Sequence, residues 1–189
     1  MRDFMAKTDM VHQKLELLMR NNEQIKEYTS MYASQTLTAE ANRISANVEQ
    51  NIHQNEEIHK QIKELLDKVK IDITEEEKLE SDKPEEERQE PPELRMKKQI
   101  SSTLVVHFQD VLRETNKVQS DFKKAMQDNI KSQLRIVNPK LSEEELEQHV
   151  LDPEQGKKFL SLQMLGVHEK VKSTIMDIED KYKDRKSVV

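Results

Sequence analysis

The sequence predicts an all-α protein built from long helices lying side by side. Three observations carry that expectation. Apolar residues make up 34% of the chain and charged residues 36%, with no Trp, a mixture that suits helices burying narrow seams rather than a thick core. Two Gly and five Pro in 189 residues leave little material for sheet turns. Between Pro92 and Pro139 no Gly or Pro occurs, and apolar or small residues recur in steps of mostly three and four, the spacing of one helix face. A helix of that length reaches about 65 Å. It cannot bury its seam alone, so the rest of the chain must supply partners.

The first helix is expected over residues 2–32. Phe4, Val11, Leu18, Ile25 and Tyr32 fall seven apart, with Leu15 between them and polar Thr8, Asn22 and Thr29 at the other seam positions. Ser30, Ser34, Thr36 and Thr38 cluster at the turn that follows.

The second helix is expected over 37–73, with Thr38 as its cap. Its seam reads Leu37, Ala41, Ile44, Val48, Asn51, Asn55, Ile58, Ile62, Leu65 and Val69. Two adjacent asparagines at the centre are either wet or specifically paired, since a buried Asn costs stability but fixes register. Residues 74–92 read as a flexible acidic loop. Between Glu75 and Glu93 there are nine Glu and one Asp against Lys78, Lys83 and Arg88, and like charges repel. The chain's net charge of −6 therefore belongs to this segment, and the remainder is close to neutral.

The third helix is expected over 93–137. Its seam reads Met96 or Ile100, Leu104, His107, Val111, Thr115, Val118, Phe122, Ala125, Asn129 and Ile136. Glu93 suits the positive end of the helix dipole, and Asn138 before Pro139 is pushed out of the α region. Ser142 with Glu145 three residues later forms a capping box that opens a short helix to about Leu151. Asp152-Pro153 ends it, and a further turn is expected around Gly156 to Leu162. From Leu165 a last helical pattern steps through Val171, Ile175, Ile178 and Tyr182.

Composition also excludes whole classes of function. Without Cys there is no disulfide framework and no thiol chemistry. The only glycines are Gly156 and Gly166, so no glycine-rich phosphate loop exists. The carboxylates lie on charged faces beside lysines, and no catalytic constellation is expected. Glu56 and His59 form one Glu-x-x-His unit; di-iron bundles need a facing copy, which is missing, so no metal or other cofactor is expected. A nearly neutral body argues against nucleic acid as a partner. No run of about 18 apolar residues can span a membrane, and the polar N-terminus is no signal peptide.

Several stretches resemble one family. Leu94–Leu104 (LRMKKQISSTL), Phe108–Leu112 (FQDVL), Gln119–Lys123 (QSDFK) and Gln133–Pro139 (QLRIVNP) resemble the third N-terminal helix of syntaxins. Leu141–Leu146 (LSEEEL) is similar to the linker helix after it, and Val167–Val171 and Ile175–Asp184 to the lead-in of a SNARE motif. The resemblance implies an antiparallel up-down-up three-helix bundle over residues 1–138. A linker over 139–164 and the start of a SNARE-like helix over 165–189 would follow. It further implies a non-enzymatic SNARE protein of vesicle docking and membrane fusion, with a Sec1/Munc18-type protein and other SNAREs as partners. The family sits on the cytoplasmic face of the plasma membrane or endomembranes. The SNARE motif breaks off after Asp184, so the chain itself is expected to be soluble, cytosolic and monomeric.

Under this resemblance the face that holds a partner helix is expected at Ile58, Ile62 and Leu65 of the second helix, with Ile100, Leu104, His107, Val111, Val118 and Phe122 of the third. Arg135, Ile136, Val137, Asn138 and Pro139 read either as a plain terminator or as a hinge, with Ser142 and Glu145 as the linker cap. Val171, Ile175, Ile178 and Tyr182 form the SNARE-like lead-in. The competing expectation is a coiled-coil adaptor whose helices associate between chains. The closing Ser187-Val188-Val189 also fits a C-terminal ligand of PDZ domains.

Overall fold

A computed structural model describes residues 1–34, 38–84, 90–151 and 155–162. The long helices are α1 (Arg2–Ser34), α2 (Thr38–Ser81) and α3 (Pro92–Val137), followed by short α4 (Glu143–Leu151); residues 155–162 are helical as well. No strand occurs among the described residues. Leu37, the Thr38 side chain, the Asp152-Pro153 stop and the whole pattern from Leu165 onward, with Val171, Ile175, Ile178 and Tyr182, lie outside the described residues.

The chain divides into two compact units. The first holds Met1–Met31 and Thr38–Phe122, and the second Tyr32–Leu37 and Lys123–Val189.

In the first unit the helices run up, down and up. Contacts from α1 to α2 pair rising with falling numbers: Lys7 with Asp72 at 2.5 Å, Lys14 with Gln61 at 2.5 Å, Asn21 with Asn55 at 2.8 Å. Those from α1 to α3 rise together, as Met1 with Glu93 and Asn22 with Thr115 show. The buried positions Phe4, Thr8, Val11, Leu15, Leu18, Asn22 and Ile25 of α1 alternate steps of four and three as a packed seam requires, and Asn21 beside Asn22 is buried as well. Val11, Leu15 and Leu18 meet Ile58, Ile62 and Leu66 of α2 and Leu104 and Val111 of α3 in one cluster.

Seam positions that periodicity places one residue off are corrected by burial. Leu66 is in the core, and Leu65 beside it is partly buried. Phe108 packs against the core, whereas His107 is exposed. Leu94 and Lys97 are buried and Met96 is exposed. Each pair lies on one side or the other of the same seam. Residue type alone does not choose between neighbours, since Leu65 and Leu66 are identical and Lys97 is buried where Met96 is exposed; the facing helices select the position.

The acidic segment is also shorter as a loop than expected. α2 runs on to Ser81, eight residues beyond Ile73. Ile73 is buried against Phe4, Val69 and Leu94, which carries the helix past the apolar seam. Beyond it Glu76 pairs with Lys97 at 2.6 Å and Glu77 with Lys98 at 2.6 Å. These cations of α3 offset the repulsion between the glutamates. Lys97 is only 4% exposed, with its ammonium 5.9 Å from the Phe4 ring centre, and its hydrogen bond to Glu76 raises its pKa. α3 then starts at Pro92, where the missing amide of a first-turn proline is no loss, and Arg95 donates to the Pro91 carbonyl at 3.1 Å.

In the second unit Ile130 and Leu134 of α3 pack with Leu146 and Val150 of α4 and with Leu160. The expected seam positions Ala125, Asn129 and Ile136 are replaced by Met126, Ile130 and Leu134; Ile136 is 78% exposed. Steps of four turn the buried face slowly around a 3.6-residue helix, which brings a new side of α3 to this second core. Gly156 is required by close approach: a Cβ there would stand 2.6 Å from the His149 carbonyl oxygen. The rings of His149 and Phe159 stack at 3.7 Å between centres.

Candidate functional site

Of the nine residues expected to hold a partner helix, six are committed to the bundle's own core. Leu104, Val111, Val118 and Phe122 of α3 and Ile58 and Ile62 of α2 are all buried. Ile100 and Leu65 are partly buried against the same cluster. Val11, Leu15 and Leu18 of α1 pack in one cluster with Ile58, Ile62, Leu104 and Val111. The ninth, His107, is exposed.

His107 faces α1 rather than the seam. It lines an open groove of about 750 Å³ between α1 and α3, with Met19, Glu23 and Lys26 on one wall and Asp110 and Glu114 on the other. Met19 is 48% exposed and Val111 closes the floor. Lys26 sits 2.8 Å from both Glu114 and Glu23, and these hydrogen bonds, Glu114 foremost, push its pKa up to about 12. Glu114 is lowered in turn by Lys26. An ion-paired rim over a small apolar floor can receive a side chain or a helix edge; it offers no nucleophile or acid–base pair.

On the α2 side, Phe108 meets His59 edge-on with ring centres 6.1 Å apart. The His59 Nε2 atom is buried with no hydrogen-bond partner, and burial lowers its pKa. His59 is therefore a neutral wall residue. Among the described residues no three His, Asp or Glu side chains gather as a metal site. Val105 and Leu112 flank Phe108 on the same face of α3, and Val105 is 37% exposed.

At mid-bundle lies a buried polar layer that a seam pattern marks but cannot pair. Asn21 donates to Asn55 at 2.8 Å, Asn55 to Asn22 at 3.2 Å, and Asn22 to Thr115 at 3.0 Å. Asn51 donates to Gln24 at 3.3 Å at its margin. The Asn51 and Asn55 centre is thus paired within the bundle.

The stretch Arg135–Pro139 forms a tied corner. Asn138 donates its amide to the Leu134 carbonyl at 2.8 Å, and Leu141 donates to Asn138 at 3.3 Å. Ser142 and Glu145 make the reciprocal capping box: the Ser142 amide donates to Glu145 Oε2 at 2.9 Å, and the Glu145 amide to Ser142 Oγ at 3.3 Å. The Ser142 amide, and then its hydroxyl, both donating to Glu145 Oε2, hold the exposed Glu145 carboxyl below its ordinary pKa. Glu143 pairs with Lys131 at 2.8 Å and with Arg135, and the two cations lower its pKa, Lys131 most. Val137 packs against the second core while Ile136 and Pro139 face solvent.

The described helices contain no segment long and apolar enough to cross a membrane. A comparison with curated proteins finds no match. Among solved structures, a chain of the crystal structure of the Unc18–syntaxin 1 complex from Monosiga brevicollis is similar, with a TM-score of 0.68 and 19% identity, over 91% of this chain and 80% of that one. At that identity the likeness is one of fold. The family model for syntaxin matches residues 1–161. That span takes in the three long helices, the tied corner and α4: the chain belongs to the syntaxin family.

Proposed function

We propose that this chain acts in membrane trafficking as a SNARE-family regulatory protein, a non-enzymatic binder of other proteins. The observation that carries this reading is the syntaxin family match over residues 1–161. It coincides with a three-helix bundle whose seams close within one chain. That closure also favours the bundle over a coiled-coil adaptor, which would leave a seam for another chain.

We further assign residues 1–138 as the regulatory bundle, 139–164 as the linker and 165–189 as the lead-in to a SNARE helix. A Sec1/Munc18-type protein is the proposed partner, on the cytoplasmic side of the plasma membrane or an endomembrane. Support comes from the fold shared with a chain of the Unc18–syntaxin 1 complex. Contacts would be made by what the bundle leaves outside. His107, Met19 and Val105 are the exposed candidates, and the buried Leu104, Val111 and Ile62 act by shaping the bundle. The linker with its capped α4 would set where the following segment leaves the bundle.

The test is titration of the purified chain with the Sec1/Munc18 homologue of the same organism, read by calorimetry and by co-elution. Saturable binding at 1:1 stoichiometry is expected. No binding at tens of micromolar, with the bundle folded, would overturn the partner assignment. Sedimentation addresses the adaptor: a monomer is expected, and an elongated dimer at micromolar concentration would replace the bundle reading.

A further inference from the structure

The polar layer at mid-bundle does something the apolar core cannot. Asn21, Asn22, Asn55 and Thr115 are 5%, 2%, 0% and 0% exposed. Their hydrogen bonds run from α1 to α2, back to α1 and on to α3, where the Thr115 hydroxyl donates to the Val111 carbonyl at 2.9 Å. Each amide in the chain of bonds has a partner on another helix.

The apolar positions repeat every seven residues. On α1, Phe4, Val11, Leu18 and Ile25 recur in this way, and on α2 Ala41, Val48, Ile62 and Val69 stand at the same interval around Asn55. A slip of one heptad between α1 and α2 therefore exchanges apolar side chains for apolar side chains, and nothing in that pattern opposes it strongly. Asn55 breaks its column, as Thr115 breaks the column of Phe108 and Phe122. After a slip of seven, Asn55 would face Lys14 and Leu15 or Tyr28 and Thr29, and Asn21 and Asn22 would lose it. Buried amides left unpaired cost far more than paired ones contribute.

We propose that this four-residue layer is a specificity device that fixes the register of the three helices and keeps the core closed at three. An all-apolar layer would be thermodynamically more favourable. It would also accept slipped pairings and further helices, as coiled coils do when a single buried Asn is replaced. The proposal stands independently of the trafficking role.

The chain contains no Cys, so introduced cysteine pairs report register directly. Lys14→Cys with Gln61→Cys, joined by a short bis-maleimide linker, reads the native register, since the two native side-chain ends meet at 2.5 Å. Lys14→Cys with Lys68→Cys or Gln54→Cys reads a slip of one heptad either way. The apolar-layer variant carries Asn21→Ala, Asn22→Leu, Asn55→Leu and Thr115→Val. Relative to the unchanged layer, its slipped cross-links should rise about tenfold or more, the ratio set by even one unpaired amide. Its urea midpoint should not fall, and sedimentation should show species larger than a monomer. Asn22→Leu with Thr115→Val, which keeps the bond from Asn21 to Asn55, should give an intermediate share of slipped product. A folded, monomeric apolar-layer variant with native cross-links only would overturn the proposal. So would its failure to fold, because the device is argued to cost stability rather than supply it.

Discussion

The three-helix unit and the corner around residues 130–160 are held in different ways. In the first, long seams meet over many turns. Single positions are interchangeable in type, and order comes from a few polar residues that break the repeat. In the corner, nine-residue α4 has too few turns to hold itself. Its place depends on a capping box, a short apolar cluster and one glycine without which two backbones could not touch. Long-range repetition gives stability with little address; local signals give an address with little stability.

The largest expected effect tests the first half of that contrast. Ile62 is fully buried in the central cluster, and Ile62→Ala should cost about 3 kcal/mol of global stability, from lost transfer energy and the cavity left behind. Urea unfolding followed by circular dichroism measures it. A loss well under about 1 kcal/mol would mean that this seam is not the core.

Gly156→Ala tests the second half. Its Cβ meets a backbone oxygen, which cannot rotate away, so about 2 kcal/mol of strain is expected. Loss should be confined to α4 and residues 155–162. Amide exchange should quicken there and stay unchanged at Ile62; a global drop in the unfolding midpoint would erase the distinction between the units. Ser142→Ala removes the cap and should weaken α4 by about 1 kcal/mol, again as faster exchange at the Glu145 and Leu146 amides. Unaltered exchange would show that the ion pairs of Glu143 suffice.

The smallest effect sharpens the first unit. Burial holds His59 below the ordinary histidine value of 6.5, so the fold prefers the neutral ring. As pH falls, the unfolded chain takes up this proton first. The contribution is complete above the unfolded value and is lost as pH drops through the folded one. His59→Leu should remove that part of the acid loss, seen as a smaller fall in urea midpoint between about pH 7 and pH 5. An identical fall in both proteins would refute it.

Much of this was legible beforehand where signals are local. Ser142 with Glu145, and Asn138 before Pro139, name their own structure because each acts on neighbours in the chain. The acidic segment misled for the opposite reason: Glu76 and Glu77 read as mutual repulsion until Lys97 and Lys98 are placed across from them. Among the candidate partner-binding residues, periodicity found the seam and could not tell which seam positions the bundle itself would consume.

The amino-acid sequence by itself determined the helices, the ends set by local caps and prolines, the apolar repeat and the family signal. All of these depend on spacing along one chain. Only the tertiary structure decided between neighbours such as Leu65 and Leu66, or His107 and Phe108, because adjacent residues on a 3.6-residue helix both border one seam and the facing helix selects between them. It also turned four scattered polar residues, Asn21, Asn22, Asn55 and Thr115, into one hydrogen-bonded layer. Pairing is a property of three helices at once, and no single helix carries it.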